Sequence, residues 1–176
     1  MKSVMISIQP KWCEKIISGE KTVEVRKTKP KLKTPFKCYV YCTQEKSKDL
    51  GVIGNSIYKK RMTVIGEFVC DKVYETEKIF VFGNNGGMTL NELKEKSCLS
   101  GKEMNEYAKG RFIYGWNISN LIIYDEPKQL SSFHSKKQWT YYRQEWNIEG
   151  MVFYPEKRHL LVEVKKAPQD WCYVEE

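Results

Sequence analysis

The chain has 176 residues, with 30 Lys and Arg against 22 Asp and Glu, for a formal net charge of +8. That length fits one domain with room for an insertion, and 41% hydrophobic against 30% charged residues excludes both a disordered tail and a fibrous repeat. The longest apolar runs, such as residues 121–124, fall far short of the roughly 20 residues that a membrane-spanning helix needs, so no membrane partner is expected.

Residues 1–9 alternate apolar Val4, Ile6 and Ile8 with polar Ser3, Ser7 and Gln9, and this predicts a strand. Pro10 interrupts it before any signal-peptide core can form, which points to a cytoplasmic protein. Pro10 also suits the first turn of a helix. Trp12, Cys13, Ile16 and Ile17 mark one face of that helix, which should end near Ser18 with Gly19 in the left-handed position. Alternation resumes over 22–26, with Val23 and Val25 on one face and Thr22, Glu24 and Arg26 on the other.

Residues 26–37 carry Arg26, Lys27, Lys29, Lys31, Lys33 and Lys37 with no acid, and two prolines keep the stretch from being helical. It belongs to an asymmetric chain: residues 1–62 hold 15 Lys and Arg against 5 acids, whereas residues 63–176 hold 15 against 17. Such an arm is either a solvated edge or a contact for a polyanion, most naturally phosphates.

Runs rich in β-branched and aromatic residues predict strands over 36–42 and 64–73, joined by a polar connection, 43–61, that contains Gly51 and Gly54. A turn signal, Asn84-Asn85-Gly86-Gly87, precedes two capping-box spacings, Thr89 with Glu92 and Ser100 with Glu103. These predict short helices over about 90–96 and 101–109. Strands over 111–119 and 121–125 follow, then a long irregular region, then strands over 158–164 and 171–174. The expected architecture is mainly β (α+β), a small, partly closed barrel with short helices at its ends.

Six scattered cysteines form no CxxC pair and read as small apolar fillers, and His134 and His159 lie at no ligand spacing. No metal and no cofactor is expected. No P-loop, dinucleotide fingerprint, GxSxG or HExxH occurs. One polar constellation remains, GEKTVEVR at 19–26: strand alternation puts Glu24 and Arg26 on one face, with Lys21 at the strand's entry, so the three can converge on one ligand. A second signal lies in 133–154, where seven aromatics (Phe133, Trp139, Tyr141, Tyr142, Trp146, Phe153 and Tyr154) mix with Lys136, Lys137 and Arg143. Rings of this kind either stack unpaired bases or pack the segment against the core. Tyr114, Trp116, Trp171 and Tyr173 pose the same choice.

GEKTVEVR after a short helix, YGWNIS at 114–119, Tyr124-Asp125-Glu126-Pro127 and the closing APQDWCYVEE together resemble the ASCH domain of the PUA-like superfamily. The resemblance covers about 1–127 and 167–176. It implies a single ASCH domain over 1–176 with an aromatic-rich insertion at about 128–166, a PUA-like β-barrel, and RNA or nucleotide-containing partners. It also implies that the lysine and the glutamate-x-arginine pair line a cleft, here Lys21, Glu24 and Arg26. Some small members are similar to amidohydrolases that deacetylate cytidine acetylated on its exocyclic amine, using a lysine, a threonine three residues later and a distant glutamate. Lys21 is kept here, but Glu24 stands at the threonine's place.

The leading expectation is thus a cytoplasmic monomer that binds RNA or a nucleotide through Lys21, Glu24 and Arg26, flanked by Lys27, Lys29 and Lys31, with Tyr114, Trp116 and Trp171 as candidate base contacts. The alternative is a metal-independent hydrolase, amidohydrolase-like or ribonuclease-like, acting on a modified nucleoside or RNA. In it Lys21 polarises an oxygen, Glu24 activates water, and Glu103 or Glu106 is the distant carboxylate.

Overall fold

The computed structural model describes residues 2–44, 61–76 and 88–175. The connection at 45–60 and the Asn84-Asn85-Gly86-Gly87 turn lie outside the described residues. Strand β1 (Ser3–Ile8) runs into α1 (Pro10–Ile17), then β2 (Val23–Arg26), β3 (Phe36–Cys42), β4 (Thr63–Cys70) and β5 (Val73–Glu75). Helices α2 (Leu90–Ser97) and α3 (Gly101–Ala108) precede β6 (Tyr114–Asn117), β7 (Ser119–Lys128), β8 (His134–Asn147), β9 (Gly150–Glu163) and β10 (Trp171–Val174).

The local rules hold closely in the first third. Pro10 starts α1, Ser18 caps it, and Gly19 takes a φ of +79°. In α2 and α3, Thr89 and Ser100 accept from the backbone N–H of Glu92 and Glu103, whose carboxylates reach back to the cap N–H groups. The run at 64–73 splits at Asp71-Lys72 into β4 and β5, which belong to different sheets. The run at 111–119 likewise starts as strand only at Tyr114 and breaks at Ile118.

Among the described residues the strands form three sheets, none closed into a barrel: β10-β1-β3-β4-β7, β2-β6-β5, and β8-β9. The first is buried on both faces. Val4, Ile6, Ile8, Cys38, Val40 and Trp116 pack on one side, and Met5, Tyr39, Tyr41, Phe133 and Val174 on the other. This is why all six residues of β1, Ser3 and Ser7 included, are buried where alternation alone predicted a polar face. Strands β1 and β3 are parallel, so the chain between them must cross over, and the crossover is α1 plus β2. β2 then pairs with β6 and lays Val23 and Val25 against Leu93, Met104 and Ile113 beneath α2 and α3.

The largest departure from expectation lies in 134–157. That segment, expected to be irregular, joins the strand expected over 158–164 in a ribbon of two 14-residue strands paired without interruption from His134↔Glu163 to Asn147↔Gly150. Its pattern hid it, because apolar and polar residues are mixed on both faces and its two-residue turn is Ile148-Glu149, which lacks the Asn-Gly signature of tight hairpins.

Candidate functional site

Because Val23 and Val25 are drawn under the helices, Glu24 and Arg26 project from the opposite face of β2, toward β1 and the segment before β10. Lys21 approaches from the α1–β2 turn, which is pinned by Lys21 N–H to the Lys15 carbonyl (2.8 Å) and Thr22 N–H to the Lys96 carbonyl (2.9 Å). The three side chains meet, and each is nearly sealed from solvent, at 2%, 9% and 9% exposure.

Arg26 is the hub. One terminal nitrogen (Nη1) donates to Asp170 Oδ1 at 2.9 Å; the other (Nη2) donates to the Ser7 carbonyl at 2.6 Å and lies 3.1 Å from Glu24 Oε1. Burial works against its charge, but Glu24, then Asp170 and a hydrogen-bonded Tyr107, outweigh that penalty and hold the guanidinium above its already high pKa. The Tyr107 hydroxyl is pushed up by burial, with Arg26 pulling the other way. Asp170 is itself placed by β1, since Ser7 N–H donates to its carbonyl (3.0 Å) and the Ser7 hydroxyl to that of Pro168 (2.6 Å).

Lys21 plays a different part. Its ammonium donates to the carbonyls of Val23 (3.0 Å) and Ser97 (2.8 Å), sits 3.2 Å from Glu24 Oε2, and lies 5.3 Å over the Trp12 ring. An ammonium has three protons; the two carbonyls accept two of them, and the remaining charge is balanced by Glu24. The contact with Glu24 Oε2 is an ion pair outside hydrogen-bond geometry, so two buried polar atoms of the cluster, Glu24 Oε2 and Arg26 Nε, make no hydrogen bond. Two cations and two carboxylates also leave the cluster neutral as a set.

Around it, Lys27 lies 4.9 Å over the Tyr107 ring, and Lys29 pairs with Glu75 beside Tyr114 (5.5 Å to that ring). The exposed Lys31 donates its backbone N–H to the Tyr173 hydroxyl at 2.7 Å. Trp171 is half-buried, with its indole N–H on Thr28 Oγ1 at 2.9 Å, and it tilts against Trp116 at 5.9 Å. Trp116 is wholly enclosed in the core, edge-on to Phe36 at 5.7 Å, so its ring has no free face to offer a base. Glu103 is tied to the α3 cap and lies 3.9 Å from Lys11, and Glu106 is exposed. Asp170, Ser7, Trp12 and Tyr107 were not singled out from sequence; Asp170 alone had a signal, its place inside APQDWCYVEE.

All six cysteines are free, four of them fully buried. Burial pushes the Cys70 thiol up to about 12, and the Cys13 thiol rises through its contact with Cys42 and then through burial. No group of residues suited to a metal occurs among the described residues.

No family model matches the sequence, and no curated protein matches it. Among solved structures it is similar to the ASCH protein of Zymomonas mobilis, at 18% identity over 73% of this chain and 73% of that one, with a TM-score of 0.49. Two single-substitution variants of that protein, also 18% identical, give 0.50, over 74% of this chain and 77% of that one in the first case and 73% and 74% in the second. A likeness at this level reports backbone architecture, and on it the chain has the ASCH fold that its GEKTVEVR segment led us to expect.

Proposed function

We propose that the protein is an ASCH domain of PUA-like type that binds RNA or a nucleotide-containing ligand, with Glu24 and Arg26 meeting the base and the basic arm meeting phosphate. The observation that carries this reading is the pair of buried atoms without hydrogen bonds, an acceptor (Glu24 Oε2) and a donor (Arg26 Nε), in an otherwise bonded cluster. Buried polar atoms left open cost about 1–3 kcal/mol each, so a ligand edge that offers a donor beside an acceptor gains by closing both, and nucleobase edges have that form. A neutral cluster does not attract phosphate by itself. That attraction comes from Lys27, Lys29 and Lys31, which line the chain as it leaves β2, with the half-buried Tyr114 and Trp171 beside them. Six free thiols suit a reducing cytoplasm, and the reading takes the protein as a monomer there.

The engagement of the Lys21 ammonium by two backbone carbonyls and the Glu24 carboxylate favours binding over hydrolysis, because a lysine that polarises a substrate oxygen must turn away from such neighbours to do so. Lys21 instead fixes the turn and Glu24. Turnover of N-acylated nucleosides by the wild type, abolished in Lys21→Ala, would establish the hydrolase in its place.

The test is a fluorescence-anisotropy titration of a five-nucleotide RNA at a series of salt concentrations. Each neutralised phosphate contributes about −0.7 to the slope of log affinity against log salt for a single strand, so Lys27→Ala/Lys31→Ala should flatten the slope by about 1.4. A wild-type slope near zero, or one that the double variant leaves unchanged, overturns the reading.

A further inference from the structure

Among the described residues, the β8–β9 ribbon is anchored only where it leaves the core. Phe133 and Val164 are buried and joined by a 2.8 Å backbone bond, and His134 pairs with Glu175 just beyond β10. From there two strands of 14 residues, at about 3.3 Å per residue, extend roughly 45 Å. A bare two-stranded ribbon is marginal in water, and this one exposes large apolar side chains along its outer half: Trp146 at 77%, Ile148 in full, and Tyr142 and Phe153 at more than half.

Its two faces differ in charge. Cross-strand partners share a face, so Arg143, Glu145, Tyr154, Glu156, Arg158 and Tyr141 lie together. There the ion pairs Arg143–Glu145, Arg143–Glu156 (2.9 Å) and Arg158–Glu156 (3.6 Å), with Arg143 stacked on Tyr154 and Arg158 on Tyr141, satisfy one another. The opposite face carries Lys136, Tyr142, Trp146, Phe153, Lys157 and His159, and between the Lys136↔Leu161 and Trp146↔Met151 pairs it has no carboxylate. It is continuous with the arm beside the buried cluster. Lys136 reaches Glu175 at 2.8 Å, Tyr173 two residues earlier holds Lys31 N–H and has Lys2 over its ring at 3.7 Å, and Trp171 holds Thr28.

The geometry points to this acid-free face as an RNA-binding surface: a single strand held at the Glu24–Arg26 cluster continues along the arm and β10 and lays its unpaired bases on Tyr142, Phe153 and Trp146, with Lys157 beside its phosphates. Lys157, with no acid among its neighbours on this face, complements phosphate, exposed rings supply stacking platforms, and the self-paired opposite face serves as a built-in control. The inference rests on the RNA reading of the cluster and extends it by a second contact.

Two oligonucleotides separate the two claims. The full-length protein is titrated with the five-nucleotide RNA, which fits the cluster alone, and with a 20-nucleotide single strand of mixed sequence. Wild type should bind the longer strand at least tenfold more tightly. Trp146→Ala/Phe153→Ala should remove about tenfold or more of that affinity and leave the short strand and the melting temperature unchanged, whereas Leu160→Ala on the opposite face should change neither. If the double variant leaves the length dependence intact, the ribbon assignment is overturned while the cluster stands. If the short strand does not bind but the long one does and needs Trp146, the cluster reading fails and the ribbon stands. A protein that sediments as a dimer and becomes a monomer in Trp146→Ala/Phe153→Ala, with RNA affinity unaltered, assigns the face to a second copy and overturns the inference, as does the absence of RNA binding at either length.

Discussion

Arg26 bonds or pairs with four residues from four parts of the chain, and its importance follows from what its loss would strand. Without it Glu24 keeps only Lys21 as a counter-charge, in a pocket that excludes water, and Asp170 loses its partner. Breaking a buried ion pair from one side costs about 3–5 kcal/mol, mostly through the uncompensated charge left behind. Arg26→Met should therefore lower the free energy of urea unfolding by about that amount, and a loss below about 1 kcal/mol would show that water enters the cluster. The three original members of this site were legible because they fall within six residues, where the two-residue period of a strand fixes which side chains share a face. Tyr107 and Asp170 were not, because only the folded topology brings residues 81 and 144 positions away to the same guanidinium. Trp116 shows the reverse limit: an aromatic opposite Glu24 in the β2–β6 register looked like a base contact, yet its face of the sheet is core.

Elements whose rules are local were read nearly to the residue. Thr89 and Ser100 at capping-box spacing gave the starts of α2 and α3, and Pro10 with Gly19 bounded α1. The same boxes carry a pH dependence. Hydrogen bonds from the cap backbone and hydroxyl pull the Glu92 and Glu103 carboxyls below their ordinary range. A carboxyl with a lowered folded-state pKa contributes stability in full above its unfolded value, near 4.3, and loses it as pH falls through the lower folded value. Thr89→Ala should cost about 1 kcal/mol at neutral pH, and the gap between variant and wild type should narrow as urea melts are repeated from pH 5 down through the acid range. A gap that stays constant would mean that the Glu92 side of the box contributes nothing. Elements whose identity depends on pairing were harder. Nothing in residues 134–147 announces a strand more than twice the common length, because neither face is consistently apolar and its register is set by the partner strand.

Across the whole molecule, burial is uneven. The five-stranded sheet is covered on both faces by separate apolar clusters, whereas among the described residues the ribbon has no layer on either side beyond its base. Local openings span free energies from near zero to that of global unfolding according to such differences. Hydrogen exchange should protect amides of β1, β3 and β4 up to the global limit and exchange those of β8 and β9 beyond about Lys136 orders of magnitude faster, with single-stranded RNA slowing them. Uniform protection would show that ribbon and sheet unfold as one unit.

The ion pair between Arg26 and Asp170 also sets a timetable. The guanidinium leaves the ribosome 144 residues ahead of its carboxylate, and until β10 docks antiparallel to β1 the pocket has a floor but lacks one wall. Loop closure over that span is slow compared with the nearby turns. The cluster is therefore complete only once β10 is in place, and any recognition that depends on it waits for that step.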